Sequence, residues 1–217
     1  MGVQRHIGYR IRRHDCGNLG AMPAFTIITP TIGRPTLARA LLSAARQLGP
    51  YDEHIVVGDG HQPDAQKMAL EYRHTRYIET PKTGGTGAVQ RDAGILQAMG
   101  DYLIFLDDDD VLVDGVLPVV REIVAETPGA LFLFRCRFYG YGAIPDGAVL
   151  WRDNEIRDGN VGTGMIVCPN RRNLPRWAAH GVLRYNADFT FIRDLATTTQ
   201  VLWQDEILQI TRPIAWN

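Results

Sequence analysis

The sequence predicts an α/β fold in which a mainly parallel central sheet is flanked by helices. Three observations carry this expectation. From Phe25 onward, short β-rich runs alternate with amphipathic segments, which is the pattern of strands joined by crossover helices. The run Tyr102 to Leu106 is apolar throughout, as in a strand buried on both faces. Pro35, Gly49, Pro63, Gly100, Pro128 and Gly129 fall at the junctions between these segments, where helices start and stop.

Taken in order, Phe25 to Thr29 is a buried strand. Thr36 to Leu48 follows as a helix between Pro35 and Gly49, with Leu37, Ala40, Leu41, Ala44 and Leu48 on one face. His54 to Val57 is the second strand, and Asp64 to Arg73 is a helix opened by Pro63 and Asp64. Arg76 to Ile78 is a short third strand. A glycine-rich loop, Pro81 to Gly87, leads into a helix from Ala88 to Met99, closed by Gly100. After the strand at Tyr102 come a helix at Val116 to Glu126 and a strand at Leu131 to Phe138, separated by Pro128 and Gly129. Gly140 to Gly164 is rich in Gly, Asp and Asn and reads as a hairpin or a loop over a site. Met165 to Cys168 is strand-like and Ala187 to Leu195 helical.

With 217 residues, 45% of them hydrophobic, the chain can bury one sizeable core. It has no internal repeat and no linker that divides it. Residues 1–21 hold Arg5, Arg10, Arg12 and Arg13 with no apolar stripe, so they are expected to form a loose basic tail before a single domain at 22–217. A net charge of -1 gives no basis for general affinity for nucleic acid. Cys16, Cys136 and Cys168 are widely spaced and odd in number, suggesting neither a zinc site nor a disulfide framework, and fitting the cytoplasm best. No apolar run approaches the ~20 residues that a membrane helix needs.

In open α/β sheets, ligands bind beyond the carboxyl ends of the strands. Four segments should therefore meet at one edge: Pro30 to Arg34, Gly58 to His61, Pro81 to Arg91, and Asp107 to Asp110. Four consecutive carboxylates repel one another unless a cation offsets them, and oxygen-only ligands suit Mg²⁺ or Mn²⁺. In extended backbone Asp107 and Asp109 would share a face, while Asp110 fits an acid at the start of the next helix or one facing water. The EF-hand spacing is absent. Gly58-Asp59-Gly60 lacks the third glycine of a dinucleotide fingerprint, and Gly84 to Gly87 is not followed by the Lys-Ser or Lys-Thr of a P-loop. The glycine loop either wraps a diphosphate or simply turns the chain.

The strings FTIITPTIGRP, VVGDGH and RDAGILQAMGDYLIFLDDDD, in this order, resemble the family 2 glycosyltransferases, which have the A-type nucleotide-sugar fold. The likeness runs from Phe25 to roughly Leu195, and its most specific part is the last string, where Arg, Gly, Ala, Gly-Asp-Tyr and the acidic run keep the family's order. The resemblance implies a nucleoside-diphosphate sugar as donor, a UDP-sugar foremost, and an inverting transfer to an acceptor hydroxyl. It gives 22–112 to the donor and 113–217 to the acceptor and the catalytic base. Pro30, Thr31, Arg34, Asp59 and Arg91 would belong to the nucleotide-sugar pocket, Asp107 or Asp108 would meet the ribose, and Asp109, with Asp107, would hold Mn²⁺ or Mg²⁺. Gly58 stands where the family often has its first Asp, and Asp92 where it often has Asn. The family's base is an Asp on a helix in the second half. Asp188 in Asn186-Ala187-Asp188-Phe189 matches best, with Asp205 and Glu206 as rivals.

Two other functions compete with this one. A sugar nucleotidyltransferase would carry an early loop rich in Gly, Arg and Lys, which TPTIGRPT matches poorly. A catalytically silent carbohydrate-binding or scaffold protein would have no need of the acidic run. The acceptor is not legible in the sequence, because later loops set it on a shared fold. Trp151, Trp177 and Trp203 fit the core more readily than a sugar-stacking surface.

Overall fold

The computed structural model describes residues 22–139, 147–181 and 186–212. The tail expected at 1–21, together with Cys16, lies outside these residues. Strand β1 (Phe25–Thr31) is flanked by two parallel neighbours, β2 (Glu53–Asp59) and β4 (Tyr102–Phe105), and β3 (Thr75–Thr80) extends the parallel part beyond β2. Helices α1 (Leu37–Ala45), α2 (Pro63–Leu70) and α3 (Ala88–Gln97) make the crossovers. Their apolar residues recur at helical spacing, so α1 buries Leu37, Ala40, Leu41 and Ala44 along one side.

Helix α3 lies unusually close to the sheet. A Cβ on Gly94 would stand 2.5 Å from Cγ2 of the buried Ile28, so glycine is what permits this approach. The approach matters because α3 begins at the edge of the sheet where the strands end.

The second half adds β5 (Val111–Leu112), α4 (Val116–Glu126), β6 (Leu131–Arg137), β7 (Val149–Leu150), β8 (Ile166–Pro169), α5 (Ala187–Ala196) and β9 (Val201–Ile210). The sheet order is β3-β2-β1-β4-β8-β6-β9-β5, with β7 on β6. The expected parallel pairing holds for β1 to β4 and for β6 with β9. Strand β8 runs antiparallel between β4 and β6, and β5 and β7 are antiparallel edge pieces. Of the stretch 140–164, expected as a hairpin or a loop over a site, Val149–Leu150 forms a strand that pairs antiparallel with β6, which precedes the stretch, and residues 140–146 lie outside the described ones.

Strand β9 has no counterpart among the sequence expectations. Its register against β6 shifts between Leu133 and Arg135, where Trp203 and Ile207 are the partners, so Gln204 to Glu206 bulge outward. Three polar residues interrupt the apolar pattern and disguise a ten-residue strand. Cys136 and Cys168 are buried and free. Among the described residues no helix is long and apolar enough to cross a membrane.

Candidate active site

The carboxyl ends of β1, β2 and β4, the start of α3 and the start of α5 surround a cavity of about 390 Å³. Pro30, Thr31, Arg34, Asp59, Arg91, Asp107, Asp108, Asp109, Asp110 and Asp188 all line it. The residues singled out in the sequence are thus brought together from segments up to 158 positions apart. Asp205 and Glu206 are not among the lining residues. They lie in the β9 bulge, where Asp205 is exposed and pairs with Arg135 at 2.7 Å.

The acidic run is a turn, not extended backbone. The Asp110 N–H donates to the Asp107 carbonyl at 3.1 Å, and the four side chains fan outward to different partners. The expected sharing of one face by Asp107 and Asp109 through strand alternation is therefore replaced by turn geometry. Asp107 pairs with Arg91. Asp108 is buried and accepts from the Thr31 hydroxyl at 2.7 Å and from Arg34 at 2.9 Å. Asp109 receives Arg34 at 3.2 Å and Arg212 at 3.3 Å on one oxygen, Oδ2.

Asp110 corrects a second expectation. It neither caps α4, whose N-cap is Gly115, nor faces water. Its side chain is buried and accepts the Arg212 N–H at 2.9 Å, tying the turn to the chain beyond β9. Burial and the neighbouring charges of Asp107 and Asp109 push its carboxyl well above the ordinary range, against the opposing pull of Arg212. Burial also raises Asp108, while the Thr31 hydroxyl and Arg34 oppose the shift.

Asp59 holds the glycine-rich loop in place. Its Oδ1 accepts from the Thr83 N–H at 2.6 Å, the Thr83 hydroxyl at 3.0 Å and Gln90 at 2.9 Å, and its Oδ2 accepts from the Gly84 N–H at 2.9 Å. Burial would raise its pKa, but these donors and the charge of Lys82 outweigh it and leave the carboxyl below its usual value. The loop presents Gly85, Thr86 and Gly87 to the cavity. The departure at Gly58 has a local reason: a Cβ there would collide with the Tyr77 hydroxyl. Tyr77 occupies the space that the family's aspartate would need.

Asp188 enters the cavity from the first turn of α5, and its carboxylate lies beside Gly162. Burial raises its pKa, opposed by the Phe189 N–H and Arg91 and reinforced by Asp107 and Asp158. A carboxylate whose proton affinity is raised by burial is suited to taking a proton. Trp177, expected in the core, is buried and also borders the cavity, and Gln90 and Arg212 join the site without a signal in the sequence. Gln90 and Arg212 act through hydrogen bonds to residues 31 and 103 positions away, for which local sequence carries no signal.

Asp107 and Asp109 keep partial access to the cavity, at 32% and 21% side-chain exposure, whereas Asp108 is enclosed at 5%. Among the described residues no group of three or more His, Cys, Asp or Glu forms a ready-made ligand shell. Arg91 pairs with Asp107, and Arg34 and Arg212 with Asp109, so arginines supply part of the positive charge that a cation was expected to bring.

The sheet order, the cleft at the strand ends and the acidic turn define an A-type glycosyltransferase fold. The chain belongs to glycosyl transferase family 2, whose model matches residues 26–171. Over 108 residues it is 28% identical to the GalNAc(5)-diNAcBac-PP-undecaprenol beta-1,3-glucosyltransferase of Campylobacter jejuni, covering 46% of this chain and 34% of that one. An uncharacterized glycosyltransferase of Haemophilus influenzae is 24% identical over 109 residues, covering 50% of this chain and 37% of the relative. The chain thus matches only about a third of the length of these curated relatives. S. aureus TarS shares the fold at 15% identity with a TM-score of 0.70, over 87% of this chain and 36% of TarS. TarS 1-349 in complex with UDP-GlcNAc gives a TM-score of 0.68 at 15% identity, over 89% of this chain and 60% of the other.

Proposed function

We propose that this chain transfers a sugar from a UDP-sugar to an acceptor hydroxyl with inversion, aided by Mg²⁺ or Mn²⁺, with Asp188 as the base. The observation that carries the reading is that Asp188 lines the same cavity as Asp107, Asp109 and the glycine loop. An inverting displacement needs a base and a leaving-group site on opposite sides of the reacting carbon, and the reading assigns the first to Asp188 and the second to the end that holds Asp107 and Asp109. UDP and UDP-GlcNAc complexes of a protein with this fold support the choice of nucleotide.

Asp107 and Asp109 would hold the cation, which when bound offsets negative charge on the departing diphosphate. Arg34 and Arg212, already beside Asp109, add positive charge at the same end of the cleft. Asp59 keeps the glycine loop in shape, and Thr31 and Arg34 fix Asp108. Asp188 draws the proton from the acceptor hydroxyl as that oxygen attacks, since a sugar hydroxyl is a weak nucleophile until its proton is drawn away.

Calorimetry with UDP, with and without Mn²⁺, tests the metal role, and a panel of UDP-sugars scored for Mn²⁺-dependent hydrolysis tests the reaction without an acceptor. UDP affinity should fall on chelation, and Asp109→Ala should behave like chelation. Equal affinity in chelator would remove the metal from the reading, and an absence of hydrolysis across the panel would count against a UDP-sugar donor.

A further inference from the structure

Near its start, after Ala88 and Val89, helix α3 carries three consecutive buried polar residues, which a helix sends in three directions about 100° apart. Gln90 reaches the glycine loop through Asp59, Thr80 and Thr83, and Arg91 reaches the acidic turn through Asp107. Asp92 reaches the second half of the chain. Its two carboxylate oxygens accept the backbone N–H groups of Trp177, at 2.9 Å, and Ala178, at 3.1 Å. These are the first donors of the short 3₁₀ turn Trp177–His180, whose own N-cap, Arg176, gives no side-chain cap. A residue 85 positions away thus does the work of a helix cap.

What this cap fixes is the Trp177 indole, which is fully enclosed. Its ring lies 4.8 Å from the Arg91 guanidinium carbon, meets Phe105 edge-on at 4.9 Å, and stacks on Phe191 at 4.4 Å with 14° between the planes. Phe191 lies three residues after Asp188 on α5, so the two side chains project from the same side of that helix. Asp92 itself does not line the cavity. An asparagine at position 92 would offer one acceptor oxygen and turn its NH₂ toward the second backbone donor.

We propose that Asp92 is a positioning residue for transfer: by pinning the backbone at Trp177 it sets the stack on Phe191, and through it the depth and angle at which α5 delivers Asp188 into the cleft. The inference rests on the reading of Asp188 as the base. It makes Asp92 dispensable for nucleotide binding and important for turnover, because misplacement of a reacting group by ~1 Å can cost on the order of 10² in rate.

The test compares the wild type with Asp92→Asn, Asp92→Ala, Asp188→Asn and the double variant Asp92→Asn/Asp188→Asn. Both Asp92 variants should keep UDP affinity in Mn²⁺ within about twofold by calorimetry. Deuterium exchange should rise at residues 177–178 and across α5 while β1 to β3 stay protected. Hydrolysis of the UDP-sugar that the wild type turns over best should fall about 10- to 100-fold in kcat at constant KM. The double variant should be no slower than Asp188→Asn alone, since a residue acting only through the base has nothing left to position. Asp92→Asn keeps the side-chain shape should Asp92→Ala fail to fold. Unchanged exchange at 177–178 and α5, a loss appearing as weak UDP binding, or full multiplication of the two defects would each overturn the proposal. Full turnover in Asp188→Asn would instead remove the base reading, and the exchange measurement, which needs no substrate, would still decide whether Asp92 holds α5.

Discussion

Asp188 is half-buried and close to other acids, which gives its proposed role a pH signature. A base must be deprotonated to act, and burial raises its pKa, with Asp107 and Asp158 adding to the effect against the Phe189 N–H and Arg91. The acid limb of kcat for UDP-sugar hydrolysis should therefore lie above the ordinary carboxylate range near ~4. Asp188→Asn should abolish that limb and lower turnover by roughly 10² to 10⁴ while leaving UDP binding near normal, as measured by pH-rate profiles and calorimetry. Weak UDP binding with turnover preserved at saturation would place Asp188 among the donor contacts instead.

Among the elements, β2 and α3 carry the most exposed commitments. His54 on β2 is wholly buried beside the Thr29 hydroxyl, 2.8 Å from Nε2, and burial lowers its pKa from 6.5 to about 3. The folded state then binds this proton less readily than the unfolded chain. Its contribution to stability is present above pH 6.5 and is lost as pH falls toward 3, by about 1.4 kcal/mol per unit. Denaturant titrations at several pH values should show this slope, and His54→Asn should flatten it. For α3, Gly94→Ala should destabilise by about 1–3 kcal/mol, because the added methyl meets an Ile28 that has no room to give, and this outweighs the better helix propensity of Ala. A neutral or stabilising effect in urea titrations would show that α3 can lift off the sheet.

Across the whole molecule, the edge of the sheet opposite the cleft is held by acids that reach between segments distant in sequence. Asp52, before β2, accepts from the Phe25 N–H at 2.8 Å and the Gly49 N–H at 2.7 Å, and pairs with Arg121 of α4 at 2.5 Å. Glu53 accepts from the Thr26 hydroxyl, the Met99 N–H and Arg76. Asn170 donates to the carbonyls of Ala98 and Gly100. Removing one partner from such a buried pair leaves an uncompensated charge, so Asp52→Ala should cost about 3–5 kcal/mol by chemical denaturation. UDP affinity of the folded fraction should be unchanged, because the cleft lies at the other edge. A chain beginning at Met22 should melt within a few degrees of the full one, and a larger drop would make residues 1–21 part of the fold.

The sequence by itself determined the parallel half and its cleft. The relevant signals there are local: apolar runs of strand length, helices with apolar stripes, and glycine, proline and acidic residues at the junctions between them. Strand ends that must share one edge bring Thr31, Asp59, Arg91 and Asp107 to Asp109 together by topology alone. In the second half the sequence marks α4, β6, β8 and α5, and only the tertiary structure decided β9, the antiparallel pairings and several site contacts. Strand β9 is interrupted by its own bulge, and Asp205 and Glu206, plausible bases on sequence, are carried by that bulge away from the cavity. Asp110, expected at a helix start or facing water, is buried by a contact with Arg212 from 102 positions away, and Asp92 caps a turn 85 positions distant. Hydrogen bonds of this span depend on which elements the folded sheet makes neighbours. Hydrophobic periodicity, which acts over a few residues, is the signal that a sequence displays.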